Sequence, residues 1–233
     1  MPKRKNNKVP VHPMERAIPL KRMSDITWRI FRIMSEFVEG FQFLSQFHKE
    51  VTIFGSARLD PKNKWCQEAA KLSRLLAKNG YTVITGGGPG IMEAANKGAY
   101  SADPRKSIGI NIQLPSEQRT NPYVTKSKGF YYFFTRKVML AASAQSYIFF
   151  PGGYGTADEF LEILMLIQTR KMQKISMILV GKEFWQPLID WFKKTMIDKY
   201  KTINPEDIKL FNIVDKAEDA LKIIKKSRER TIF

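Results

Sequence analysis

The segment Pro151-Gly152-Gly153-Tyr154-Gly155-Thr156-Ala157-Asp158-Glu159 places a potential anion cradle and a carboxylate side by side. The apolar run Ser146-Tyr-Ile-Phe-Phe150 before it reads as a strand, and the residues after the glycines read as a helix. Glycines at such a turn let backbone N–H groups close on a phosphate at the helix N-terminus. The expected ligand is a phosphorylated small molecule, its phosphate resting on Gly153, Gly155 and Thr156. Glu159 is expected in the first helical turn, within reach of that ligand. Its place near the helix start should favour the ionised form, suited to a base or an electrostatic stabiliser. A tight connection that needs glycine only for its geometry would also explain one such turn.

A second loop tips the balance toward a ligand. After the strand candidate Tyr81-Thr-Val-Ile-Thr85 come Gly86-Gly87-Gly88-Pro89-Gly90 and a helical stretch, Ile91 to Lys97. In a parallel sheet both loops open at the carboxyl edge of the strands, where open α/β sheets bind ligands. Gly87 and Gly88 are expected to join the binding surface.

The elements that must position these loops emerge from the apolar pattern. Strand candidates are Val51–Phe54, Tyr81–Thr85, Ser107–Gln113, Ser146–Phe150, Ile175–Val180 and Lys209–Val214, with helical patterns filling most of the gaps. That alternation predicts an α/β fold: a Rossmann-like, doubly wound parallel sheet with helices on both faces. Ile26 to Phe47 reads as an extra N-terminal amphipathic helix, packed on its own domain or docked to another subunit. Arg29, Arg32, Glu36 and Glu39 interrupt it too often for a membrane span. The expected organisation is a basic tail over 1–24, one domain over 25–224 and a basic tail over 225–233.

The chain has 233 residues and a formal net charge of +17, but ten of the excess positive charges fall in residues 1–22 and 222–230. Such tails predict weak, salt-sensitive nucleic-acid binding, not a specific DNA interface. Cys66 is the only cysteine, which leaves no disulfide framework and fits a reducing compartment. Residues 1–22 lack the apolar core of a secretory signal, so a cytoplasmic location is expected.

Several chemistries lack their motifs. Neither glycine loop spells G-x-G-x-x-G, because Ile91 and Asp158 occupy the sixth positions, and there is no P-loop lysine. His12 and His48 are isolated, so no metal is expected, and no cofactor either. The remaining chemically capable residues are Arg136, Lys137, Glu117, Asp158, Glu159 and Glu162. Lys137 and Asp158 could equally be ordinary surface charges, and Glu162, one turn from Glu159, could be a helper or an ion-pair partner.

Phe134-Thr-Arg-Lys-Val-Met139 together with Pro151 to Glu159 resembles the LOG family of nucleotide 5′-monophosphate phosphoribohydrolases, whose signature pairs R-K-x-x-M with P-G-G-x-G-T-x-x-E. The likeness runs from Ile26 to about Ile224. It takes in Gly55-Ser-Ala-Arg58, which implies Ser56 at the substrate, the Thr85 to Ala95 loop, Leu114-Pro-Ser-Glu-Gln118 with Asn121-Pro-Tyr123, and Ile167-Gln-Thr-Arg170. It is similar to the longer bacterial members, often labelled lysine decarboxylases, although nothing marks a Schiff-base lysine. The resemblance implies hydrolysis of a nucleoside 5′-monophosphate, AMP first among them, to free base and ribose 5-phosphate by a homodimer or larger assembly. It assigns Arg136 and Glu159 to catalysis, and Glu117, Lys137, Gly152, Gly153, Tyr154, Gly155, Thr156, Ala157 and Asp158 to the substrate. The alternatives are a non-catalytic nucleotide sensor and a DNA-binding Rossmann-like module.

Overall fold

The computed structural model describes residues 23–112 and 120–227; the basic segments 1–22 and 228–233, and Glu117 with its neighbours, lie outside them. Among the described residues seven strands form one sheet: β1 Glu50–Phe54, β2 Thr82–Thr85, β3 Ser107–Ile112, β4 Lys126–Phe130, β5 Ser146–Phe149, β6 Ser176–Val180 and β7 Asn212–Val214. The order is β4-β3-β2-β1-β5-β6-β7, and every adjacent pair is parallel. The chain therefore winds outward from β1 to one edge, returns to β5 beside β1, and winds to the other.

Alternation along the strands sorts the core into two layers. Tyr147, Phe149, Met177 and Leu179 join one cluster with Met139 and Leu140 of α4 (Phe133–Ala142), Phe160 and Ile163 of α5 (Tyr154–Gln168), and Trp185 of α6 (Lys182–Trp191). Ile148, Phe150, Ile178 and Val180 join the other. Their partners there are Leu72 and Leu76 of α2 (Lys64–Lys78), Ile91 and Ala95 of α3 (Ile91–Ala102), and Ala220 and Ile224 of α7 (Ala217–Lys226). Helices α2 and α3 lie close because Gly98 rests on Ala70, where any side chain would collide with the backbone.

Two strand expectations change. β4, with the sequence Lys-Ser-Lys-Gly-Phe, has only Phe130 fully buried; it is a polar edge strand, blunted by its lysines, and shows no apolar run. At the other edge Lys209 and Leu210 end a 3₁₀ helix, Pro205–Leu210, which Asn204 and Asp207 close with reciprocal side-chain-to-backbone bonds. β7 starts only at Asn212.

The N-terminal helix is present as α1, Met23–Leu44. Leu44 is buried, and Phe37 and Phe43 pack on the core with Phe47 just beyond the helix. Trp28, Ile30, Phe31, Met34 and Val38 remain exposed. No described helix is long and apolar enough to cross a membrane.

Candidate active site

The sheet's order reverses between β1 and β5, the switch point at which open α/β sheets hold ligands in a crevice beyond the carboxyl ends of the strands. Two backbone bonds tie the loops after these strands: Phe150 N–H donates to Phe54 O at 2.9 Å, and Ser56 N–H to Pro151 O at 3.0 Å. Ser56 closes its own turn as well, its hydroxyl accepting the Arg58 N–H at 3.0 Å.

The glycines after β5 divide into two kinds. A side chain on Gly152 would collide with the Thr156 hydroxyl, so that glycine is required by the fold. Gly153 and Gly155 are exposed, and a Cβ on either would meet no atom within 4 Å. Neither has the positive φ that favours glycine. The turn keeps open space above these two residues for no internal reason. They flank Tyr154, almost wholly exposed, at the start of α5, where the amides of Thr156 and Ala157 bond Gly153 O at 3.0 and 3.1 Å and the earlier ones have no partner within the helix. Thr156 is buried and Ala157 half-buried behind them.

The loop after β2 is held from behind. Gly87 has φ +73° and Gly90 φ +69°, a left-handed backbone that side chains resist. Gly87 O accepts the Asn121 N–H at 2.8 Å, and Gly88 O accepts the Asn121 amide at 3.0 Å. That amide also reaches Asn96 Oδ1 at 3.0 Å, which receives the Thr85 hydroxyl at 2.6 Å. Asn96 in turn donates to Ser107 Oγ at 2.9 Å. Gly87 and Gly88 are thus buried parts of a pinned turn. Gly86 is its member nearest the charged groups: a Cβ there would stand 2.6 Å from Arg136 Nη2.

Arg136, at the end of the first turn of α4, and Lys137, at the start of the second, leave the helix in different directions. Arg136 is half-buried, and its Nε donates to Ile110 O at 3.0 Å, which fixes the guanidinium between the ends of β2 and β3. Burial lowers its pKa and the Glu159 charge opposes that; a guanidinium stays protonated in either case. Lys137 points to α5, where it pairs with Asp158, lies 2.9 Å from Glu162 Oε2 and 3.7 Å from Glu159 Oε1. Burial would lower its pKa, but hydrogen bonds to Asp158 and Glu162 and the charges of Glu159 and Glu162 raise it overall. Lys137 and Asp158 engage each other, and Glu162 is an ion-pair partner.

Glu159 lies in the second turn of α5, not the first, and only 5% of its surface is exposed. Its Oε2 is buried without a protein hydrogen-bond partner. The helix-start argument for full ionisation does not hold at this depth. Burial is the largest influence and, with the nearby Glu162 and Asp158 charges, outweighs Lys137 and Arg136, lifting the pKa to about 7. Glu159 can therefore exchange a proton near neutrality.

Sequence reasoning did not single out Asn96, Thr85 or Gly86. The available signal was Asn96 itself, a polar residue on the buried side of α3 among Ile91, Ala95 and Ala99. The R-K-x-x-M half of the signature also departs by one residue: Leu140 holds the methionine place and Met139 precedes it. Both are buried in the core, so that position packs and does not touch the site.

A doubly wound parallel sheet with this crevice defines a Rossmann-like α/β protein. The chain belongs to the LOG family: the model described as "Possible lysine decarboxylase" matches residues 92–224. It is 25% identical over 165 residues to a probable cytokinin riboside 5′-monophosphate phosphoribohydrolase, LOGL6, of Oryza sativa subsp. japonica, covering 70% of this chain and 66% of that one. It is 24% identical over 156 residues to the cytokinin riboside 5′-monophosphate phosphoribohydrolase of Rhodococcoides fascians, covering 66% and 79%. Among solved structures, the structural-genomics target TM1055 superposes with a TM-score of 0.56 at 24% identity, over 77% of this chain and 99% of that one.

Proposed function

We propose that this protein hydrolyses the N-glycosidic bond of a nucleoside 5′-monophosphate, AMP being the first substrate to test. The observation that carries the reading is the unpartnered, buried carboxylate oxygen of Glu159 behind a helix start whose two exposed glycines have open space above them. The phosphate would rest on the amides of Gly153, Tyr154 and Gly155, which bring the sugar toward Glu159 and Arg136. As the C1′–N bond breaks, its electron pair leaves with the base and C1′ gains oxocarbenium character, which an ionised Glu159 stabilises. The same carboxylate takes the proton of the water whose oxygen bonds to C1′, and passing that proton on to the departed base gives the neutral free base and restores the carboxylate. Arg136 holds the substrate as a permanent cation. A decarboxylase reading has less support, because a Schiff-base lysine needs a depressed pKa and Lys137 is held as an ammonium by its acidic neighbours.

Incubating the purified protein with a panel of nucleoside monophosphates, and assaying free base and ribose 5-phosphate, tests the reading. Adenosine should be a very poor substrate beside AMP. Nucleotide binding without turnover would leave a sensor, and equal hydrolysis of adenosine and AMP would overturn the phosphate cradle.

The exposed face of α1 favours self-association. Trp28, Ile30, Phe31, Met34 and Val38, with Phe133, Phe134 and Val138 of the adjoining α4, are all 40% or more exposed. Each leaves on the order of 100 Å² uncovered, so the patch approaches the roughly 800 Å² per partner of a stable interface. Sedimentation should find a dimer that Met34→Asp splits. A wild-type monomer, whether free or captured by anionic vesicles, would overturn this.

A further inference from the structure

Helix α4 delivers Arg136 to the site from its first turn, yet it begins without a cap of its own. Its N-cap residue is Tyr132, which offers no side-chain acceptor to the first amides of the helix. A helix start left that way frays unless something else accepts from it.

Glu36 of α1, 95 residues upstream of Tyr131, accepts from the N-cap amide of Tyr132 and from the amide before it, and so holds the chain's entry into the helix. Its Oε1 accepts the Tyr131 N–H at 2.6 Å, and its Oε2 accepts the Tyr132 N–H at 3.3 Å and the Thr135 hydroxyl at 2.5 Å. A carboxylate suits this place, because its charge meets the positive end of the helix and its bonds to N–H donors are charge-assisted. The neighbouring acid, Glu39, is engaged separately with Lys128. Farther along the two helices Gly40 lets α1 settle against Met139: a Cβ there would stand 2.5 Å from the sulfur. The helices are thus joined at two levels. The upper joint grips Thr135, whose next residue is Arg136.

We propose that Glu36 is a positioning residue for the hydrolysis: by capping α4 from another helix, it fixes the turn that aims the Arg136 guanidinium between Gly86 and Ile110 O. The proposal rests on the hydrolase reading, in which Arg136 touches the substrate. It gives the N-terminal helix, which precedes the residues matched by the family model, a part in the chemistry without any contact with the nucleotide.

The test compares full-length wild type, Glu36→Ala and Glu36→Gln in AMP kinetics and in amide hydrogen exchange over residues 131–139. Glu36→Ala should speed exchange in that segment and lower kcat per folded molecule by about tenfold to a hundredfold, as a guanidinium displaced by about 1 Å would. KM should rise by less. Glu36→Gln keeps one acceptor and should recover part of both, which general destabilisation would not do selectively; it also serves if the alanine variant fails to fold. Wild-type kcat per folded molecule in Glu36→Ala, or in Glu36→Gln if the alanine variant does not fold, overturns the positioning role. Unchanged exchange overturns the cap. A wild type inert toward every nucleotide would instead remove the hydrolase reading, with exchange still deciding whether Glu36 caps α4.

Discussion

Lys137 Nζ stands 3.7 Å from Glu159 Oε1 but 2.9 Å from Glu162 Oε2, so the ammonium forms its closer ion pair with the outer acid and attracts the inner one from farther off. That attraction is weaker than the desolvation of Glu159, whose pKa lies at about 7. If the ionised form is the active one, kcat/KM for AMP should rise with pH through a limb centred near 7. Lys137→Gln removes a charge that lowers the Glu159 pKa, so the limb should move to higher pH. A limb that stays in place in that variant would assign it to another group.

Glu159→Gln should abolish turnover, by about a hundredfold to a thousandfold at least, while nucleotide affinity changes little. Stability should move the opposite way. Glu159 holds its proton more tightly folded, at about 7, than unfolded, near its ordinary 4.5. Its contribution is therefore fully present below about pH 4.5 and is lost as pH rises through 7, at a cost of roughly 3 kcal/mol. Denaturant melts should show the glutamine variant more stable than wild type at pH 8 and close to it at pH 4. Parallel pH dependence in the two proteins would mean Glu159 is ordinarily acidic.

The glycines after β5 should separate folding from binding. Gly152→Ala drives a methyl group into the Thr156 side chain and should lower stability. Gly155→Ala lies inside α5 with open space around it and should stabilise the helix by up to about 1 kcal/mol. Gly153→Ala should be nearly neutral in stability. Both of these variants should raise KM for AMP, because the added methyl occupies the phosphate's place. Unchanged KM in both would move the phosphate elsewhere.

Gly86→Ala probes the other side of the crevice. Its Cβ would sit 2.6 Å from Arg136 Nη2 and 2.9 Å from the sulfur of Met92; the thioether can bend aside, but the guanidinium is anchored to Ile110 O. The variant should fold normally, with kcat/KM reduced in the direction of Arg136→Ala. Full activity would show that the guanidinium has room to shift.

What the sequence disclosed depended on whether the physics was local. The strands next to the site are short apolar runs, and the Gly152–Thr156 turn is written in consecutive residues, so both were legible. β4 was not, because Lys126, Ser127 and Lys128 form a strand only by pairing with β3. Nor was the state of Glu159: its helix position argued for a charge, and only packing shows how little water reaches it. Glu36 on α4 is a contact across 95 residues that no spacing rule connects.

The Asn96 side chain binds Thr85 at the end of β2, Ser107 at the start of β3 and Asn121 on the way to β4. The glycine turn between Thr85 and Gly90 is therefore incomplete until the chain has been made as far as Asn121. On the ribosome, β1, α2 and β2 can assemble from nearby contacts, whereas the glycine turn must wait for a partner 33 residues beyond Gly88. A nascent chain halted before Asn121 would present a partial sheet and an unpinned turn.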